Sequence, residues 1–104
     1  MAIIGTFKRE GTGFVGSIRT FTFHLAYVTI EPVAAKKSGK SPDFRVYDRA
    51  AGFDNIGAAW DHSRDGKERL GVQIDDATFP SPIDCRLIKN SADDNYSLIW
   101  ERDR

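Results

Sequence analysis

Three residues carry most of the chemistry this chain could do. Cys85 is its only cysteine, and His24 and His62 are its only histidines. A thiolate with an imidazole beside it, ordered by a carboxylate such as Asp84, is the usual makings of a nucleophilic site. Here the three types are scattered and form no motif. Neither histidine has a second His, Cys or carboxylate at the spacing a tetrahedral metal site uses. Cys85 shares parity with Ile83 and Leu87, which predicts a covered strand face, where burial makes a thiol inert. No catalytic, cofactor or metal-ligand residues are therefore expected. A small hydrolase or transferase working through Cys85 or the histidines is the alternative reading.

Other groups fail as motifs for similar physical reasons. Gly39-Lys40-Ser41 has the ending of a phosphate loop, but Ala34 stands where that loop needs its first glycine. Pro42 also disfavours the helical entry that the motif requires at Ser41. Asp75-Asp76 and Asp93-Asp94 lack the spaced oxygen ligands and fixed glycine of a calcium loop. What remains is a surface for binding. Lys36, Lys37 and Lys40 sit in a small-residue loop with Arg45 just beyond, a pattern able to neutralise phosphates and order on binding DNA or RNA. Of the many aromatics, most are expected to fill the core, Trp60 and Trp100 among them with Leu98. Tyr47 and Phe53 have charged or turn neighbours and are the candidates for an exposed platform. Lys36, Lys37, Lys40, Arg45, Tyr47 and Phe53 are thus the expected partner-binding residues.

The chain has 104 residues and balanced charge, with 15 basic and 15 acidic side chains. This length supports one domain with a core large enough to need neither metal nor disulfide. Residues 1–52 hold eight Lys/Arg against four acids, and the remainder seven against eleven, so the halves are polarised at +4 and −4. Such polarity orients a partner or permits self-association. Zero net charge favours a protein partner over nucleic acid. No segment nears the roughly 20 apolar residues of a membrane-spanning helix. Met1–Gly5 has no basic stretch leading an apolar block, so no export signal is expected. A lone cysteine fits a reducing, cytoplasmic setting.

The elements that must position these residues read as strands. Ile56, Ala58 and Trp60 alternate with polar or small residues, as do Leu70, Val72 and Ile74 after Ser63-Arg64-Asp65-Gly66. Asp-Gly tolerates the positive φ angles of a tight reversal, so this is predicted to be a hairpin. Ile3–Lys8 and Phe44–Tyr47 are short strands; Ile83–Ile88 and Tyr96–Trp100 form a longer-looped hairpin. From Phe14 to Ile30 the apolar parity switches at Arg19-Thr20, which predicts one long strand with a bulge or bend there. No helical periodicity is sustained anywhere. The expected fold is all-β, with about seven short antiparallel strands in a barrel or sandwich.

The segments Ile4-Gly5-Thr6-Phe7, Phe14-Val15-Gly16-Ser17-Ile18, Pro42-Asp43-Phe44-Arg45-Val46, Gly57-Ala58-Ala59-Trp60, Asp75-Asp76, Phe79-Pro80-Ser81-Pro82-Ile83 and Tyr96-Ser97-Leu98-Ile99-Trp100 stand in an order that resembles the bacterial domain-of-unknown-function family 736. The resemblance spans essentially the whole chain. It implies small cytoplasmic proteins, often encoded on plasmids and conjugative islands, with no catalytic residues to carry over. The sequence thus points to a non-enzymatic binding or accessory module of a mobile genetic element, acting on a macromolecular partner away from membranes.

Overall fold

The computed structural model describes residues 2–34, 38–50, 54–77 and 79–101, with the side chain of Asp54 left aside. The described residues form eight antiparallel strands: β1 (Ala2–Glu10), β2 (Gly13–Arg19), β3 (His24–Pro32), β4 (Phe44–Asp48), β5 (Asp54–Asp61), β6 (Arg69–Ile74), β7 (Ile83–Lys89) and β8 (Asn95–Trp100). Each pairs with its neighbour in sequence, and β8 returns to pair with β1, closing the barrel. Closure leaves no unpaired sheet edge, the standing hazard of open sheets.

The Asp-Gly hairpin forms as its residue types require. Asp65 and Gly66 both have positive φ, at 53° and 77°. Arg64 and Lys67 exchange backbone hydrogen bonds of 3.1 and 2.8 Å across them. Two central residues at positive φ are the twist-matched turn for adjacent strands. The glycine at position 16 has a different purpose. A Cβ there would lie 2.1 Å from the Thr6 carbonyl oxygen and 2.8 Å from the Phe7 ring. Only glycine lets β1 and β2 close this tightly, with Phe7 lying over the gap.

One face of every strand fills the interior. Phe7, Ile18, Val28, Ile30, Val46, Ala59, Leu87 and Leu98 are essentially inaccessible to solvent. In an eight-stranded barrel the lumen is just wide enough for such side chains to occupy it, so the middle is a packed core. Cys85 belongs to this core, 5% exposed.

Three local expectations are corrected. The run from Phe14 to Ile30 is two strands: Thr20-Phe21-Thr22-Phe23 reverses the chain, with Thr20 N–H donating to the Phe23 carbonyl at 2.9 Å. The parity switch at Arg19-Thr20 therefore marks a turn. A register shift does occur between β2 and β3, where Gly16 faces Val28 but Ile18 faces Leu25, placing the extra residue on β3 at Ala26-Tyr27. This split gives eight strands instead of about seven.

The second correction concerns Trp60. Val46 faces Gly57 whereas Tyr47 faces Asn55, so Ile56 is an extra residue in β5. Beyond it the parity inverts: Ala59 points into the core and Trp60 outward. Trp60 is half-buried on the outer surface, its indole N–H donating to the Lys40 carbonyl at 3.1 Å. Leu98 is in the core as expected, and Trp100 packs against it. Third, Phe21 and Tyr27 are exposed, at 110% and 49%, where core positions were expected. Phe21 stands on a turn and Tyr27 at the β3 bulge, and neither location faces the lumen.

Candidate functional site

The barrel's two ends differ. At one end β1 finishes at Arg9 and Glu10, β2 begins, and β8 starts with Asn95 and Tyr96. Arg9 is paired to Phe14 in the register and so shares its inward parity. Its guanidinium lies 4.7 Å from the Phe14 ring centroid and 5.9 Å from that of Tyr96. Glu68, just before β6, forms an ion pair with Arg9 and accepts a hydrogen bond from the Tyr96 hydroxyl at 2.8 Å. Phe14 meets Tyr96 edge-on at 4.9 Å and Phe44 at 6.1 Å. Cation, carboxylate and rings together plug this end. Burial, then the hydrogen bond to Glu68, pushes the Tyr96 phenol above its ordinary pKa, while Arg9 acts the other way.

Among the described residues the opposite end is open. A cavity of about 1300 Å³ lies there, between the β2–β3 turn and the β6–β7 connection. Its walls are mainly apolar: Ile4, Phe23, Leu25, Phe79, Ile83 and Trp100. All six pack against the core from outside and remain partly accessible. Arg19, Asp48 and Asp76 supply the rim with charge of both signs.

Local sequence builds this mouth. Thr20 Oγ1 accepts from the backbone N–H groups of Thr22 and Phe23, at 3.2 and 3.3 Å, fixing the turn. That turn sends Phe23 inward and leaves Phe21 fully exposed. Across the barrel, Phe79 N–H donates to the Asp76 carbonyl at 2.9 Å and Asp75 N–H to the Ile56 carbonyl at 2.7 Å. Pro80 and Pro82 keep the connection from extending as a strand. The Phe23 and Phe79 rings meet 5.4 Å apart, bridging the mouth. Ile3, 63% exposed, extends the apolar rim.

The described members of the expected partner-binding set, Lys40, Arg45 and Tyr47, lie elsewhere. Lys36, Lys37 and Phe53 are outside the described residues. Lys40 is exposed in the β3–β4 connection, which belongs to the plugged end. Arg45 and Tyr47 share the outer face of β4. Arg49 lies over the Tyr47 ring at 4.4 Å and is ion-paired to Glu31. The Thr29 hydroxyl and then Arg49 hold the Glu31 carboxyl below its usual range. A smaller hollow of about 240 Å³ is bounded by Arg45, Asn55, Gly57, Ala58, Gln73 and Asp75. Of the described expected residues, Lys40, Arg45 and Tyr47, none lines the mouth. The signal that could have found the mouth was the alternation of Phe21, Phe23 and Leu25 facing a two-proline connection.

The chemistry of the nucleophile candidates is also legible. Burial, with a smaller push from the Asp84 charge, raises the Cys85 thiol to about 12. At neutral pH it is a protonated, inaccessible group. His24 and His62 are both exposed, and no group of three or more His, Cys, Asp or Glu stands together among the described residues. Among the described residues no helix is long and apolar enough to cross a membrane.

A family model described as "Protein of unknown function (DUF736)" matches residues 3–103. No curated protein and no solved structure matches the chain.

Proposed function

This chain belongs to the DUF736 family, and with that as premise we propose that it is a non-enzymatic binding module that takes an apolar segment of a protein partner into its open mouth. The apolar cavity of about 1300 Å³ carries the reading. Cavities for small molecules span roughly 300–1,000 Å³ and enclose most of the ligand. This one is larger and opens broadly at a barrel end, which suits several side chains of a polypeptide. Balanced net charge gives no general attraction for phosphates, which is why protein is preferred to nucleic acid. The inaccessible thiol argues against the enzyme reading. A reducing cytoplasm is suggested by the single cysteine, and service to a mobile genetic element by family resemblance alone.

The test uses Trp100, which lines the mouth, as its reporter. A Trp60→Phe variant leaves Trp100 as the only tryptophan. Peptides rich in Phe, Leu and Pro are expected to shift its emission saturably and with little dependence on salt. Single- and double-stranded DNA and RNA are the comparison ligands. Saturation by nucleic acid with steep salt dependence, and none by peptides, overturns the proposal.

A further inference from the structure

We propose that the mouth is occupied, in the free protein, by a second copy of this chain, docked end to end about a two-fold axis with Phe21 of each copy seated in the other's cavity. This rests on the reading of the mouth as a protein-binding site and names its first partner.

Phe21 is the starting point, since its side chain is exposed at 110% of the reference area. Only two residues on, Phe23 turns back to meet Phe79. The Thr20 hydroxyl secures the turn that separates them, so Phe21 is held out as a preformed knob. Little further ordering is needed for it to bind. Knob and cavity belong to the same rim, because Phe21 itself borders the mouth. A two-fold interface uses one patch twice, so residue i meets residue j and j meets i. A patch with both knob and hole answers that requirement.

The rim's charges fit the same symmetry. Arg19 stands on it with Asp48 and Asp76, so a second copy turned through the two-fold can set cation against carboxylate. A rim of one sign would repel its own copy. Size agrees as well. The molecule measures 36 × 35 × 31 Å, so an end face offers roughly 800 Å² per copy, the share a standard stable interface takes.

Two measurements on the full chain test this. Sedimentation equilibrium across a micromolar to millimolar series is expected to show a shift from the 11.6 kDa chain mass toward twice that value. Phe21→Asp is expected to raise the dissociation constant at least tenfold while leaving the melting curve unchanged at concentrations where both chains are monomeric, since Phe21 has no burial to lose within one copy. Second, p-benzoylphenylalanine in place of Phe21 is irradiated in an equal mixture of light and ¹⁵N-labelled chains. Adducts joining light to heavy chain, landing on Phe79–Ile83 or Trp100, are the expected product. A monomer throughout, a dimer indifferent to Phe21→Asp, or adducts confined to one chain overturns the inference. The peptide titration of Trp100, repeated on monomeric Phe21→Asp, separates the two readings. Saturation there keeps the mouth as a protein site whatever the fate of the dimer; no saturation removes the peptide reading, and the dimer then stands or falls on the sedimentation and adduct results.

Discussion

The two ends of this barrel are made from the same strands and solve opposite problems. At the end near Tyr96, rings and ions converge: Phe14 meets Tyr96 edge-on and Phe44 at a tilt, and Arg9 lies over Phe14 and Tyr96, its charge answered by Glu68. At the other, Phe23 and Phe79 meet over a cavity, and Phe21 and Ile3 are left exposed. The difference teaches that closing a barrel does not by itself fill both of its ends. The plugged end contributes packing that folding needs, and the other keeps apolar surface partly accessible, the feature on which the proposed function rests.

The largest effect that would sharpen this contrast is on stability. Phe14→Ala removes a buried ring at the plugged end and is expected to cost about 3–5 kcal/mol in urea unfolding. Phe79→Ala at the mouth should cost only about 1 kcal/mol and should weaken peptide binding reported by Trp100. Equal losses at both sites would erase the distinction between the ends.

Alkaline pH probes the core that both ends enclose. The native thiol of Cys85 titrates near 12, above its ordinary value of 9.0. Between those values the unfolded chain has released the proton and the folded chain has not. The stabilisation is whole below pH 9 and declines as pH rises toward 12. By pH 10.5 wild type should lose about 2 kcal/mol relative to neutral pH through this thiol. Tyr96, raised in the same direction, adds to the loss. Urea midpoints against pH for wild type and Cys85→Ala measure the part due to the thiol. Identical pH profiles would show that Cys85 is not sealed in the lumen.

The smallest effect concerns the basic loop. Replacing Lys36, Lys37 and Lys40 with Ala should change stability by less than about 0.5 kcal/mol. It should also leave the Trp100 peptide titration unmoved, because Lys40 and the strand ends flanking the loop belong to the plugged end. Loss of peptide binding in this variant, with Phe79→Ala silent, would exchange the roles of the two ends.

Much of the architecture was legible from single residue types. Asp65-Gly66 specified its turn because few dipeptides accept two successive positive φ angles. Cys85 was assigned to the core by sharing parity with Leu87. The same parity rule misplaced Trp60, because the extra residue at Ile56 inverts β5 beyond it. A bulge of this kind is set by how β4 and β5 must twist to close, which neither strand states alone. The site was less legible still. Lys40 and Arg45 drew attention as charges, while the mouth is built of apolar residues that look like core in a linear reading.

What the sequence by itself determined is therefore the set of local decisions: the strands, the tight turn, and a thiol placed on a covered strand face. Each follows from backbone preference or period-two alternation, which act over a few residues. The tertiary structure alone decided that β8 would find β1, that one end would be plugged by Arg9 and Glu68, and that Phe23 and Phe79, 56 positions apart in the sequence, would face each other across an open mouth. Those outcomes depend on closure and shear, properties of all eight strands together. No window of the chain contains them.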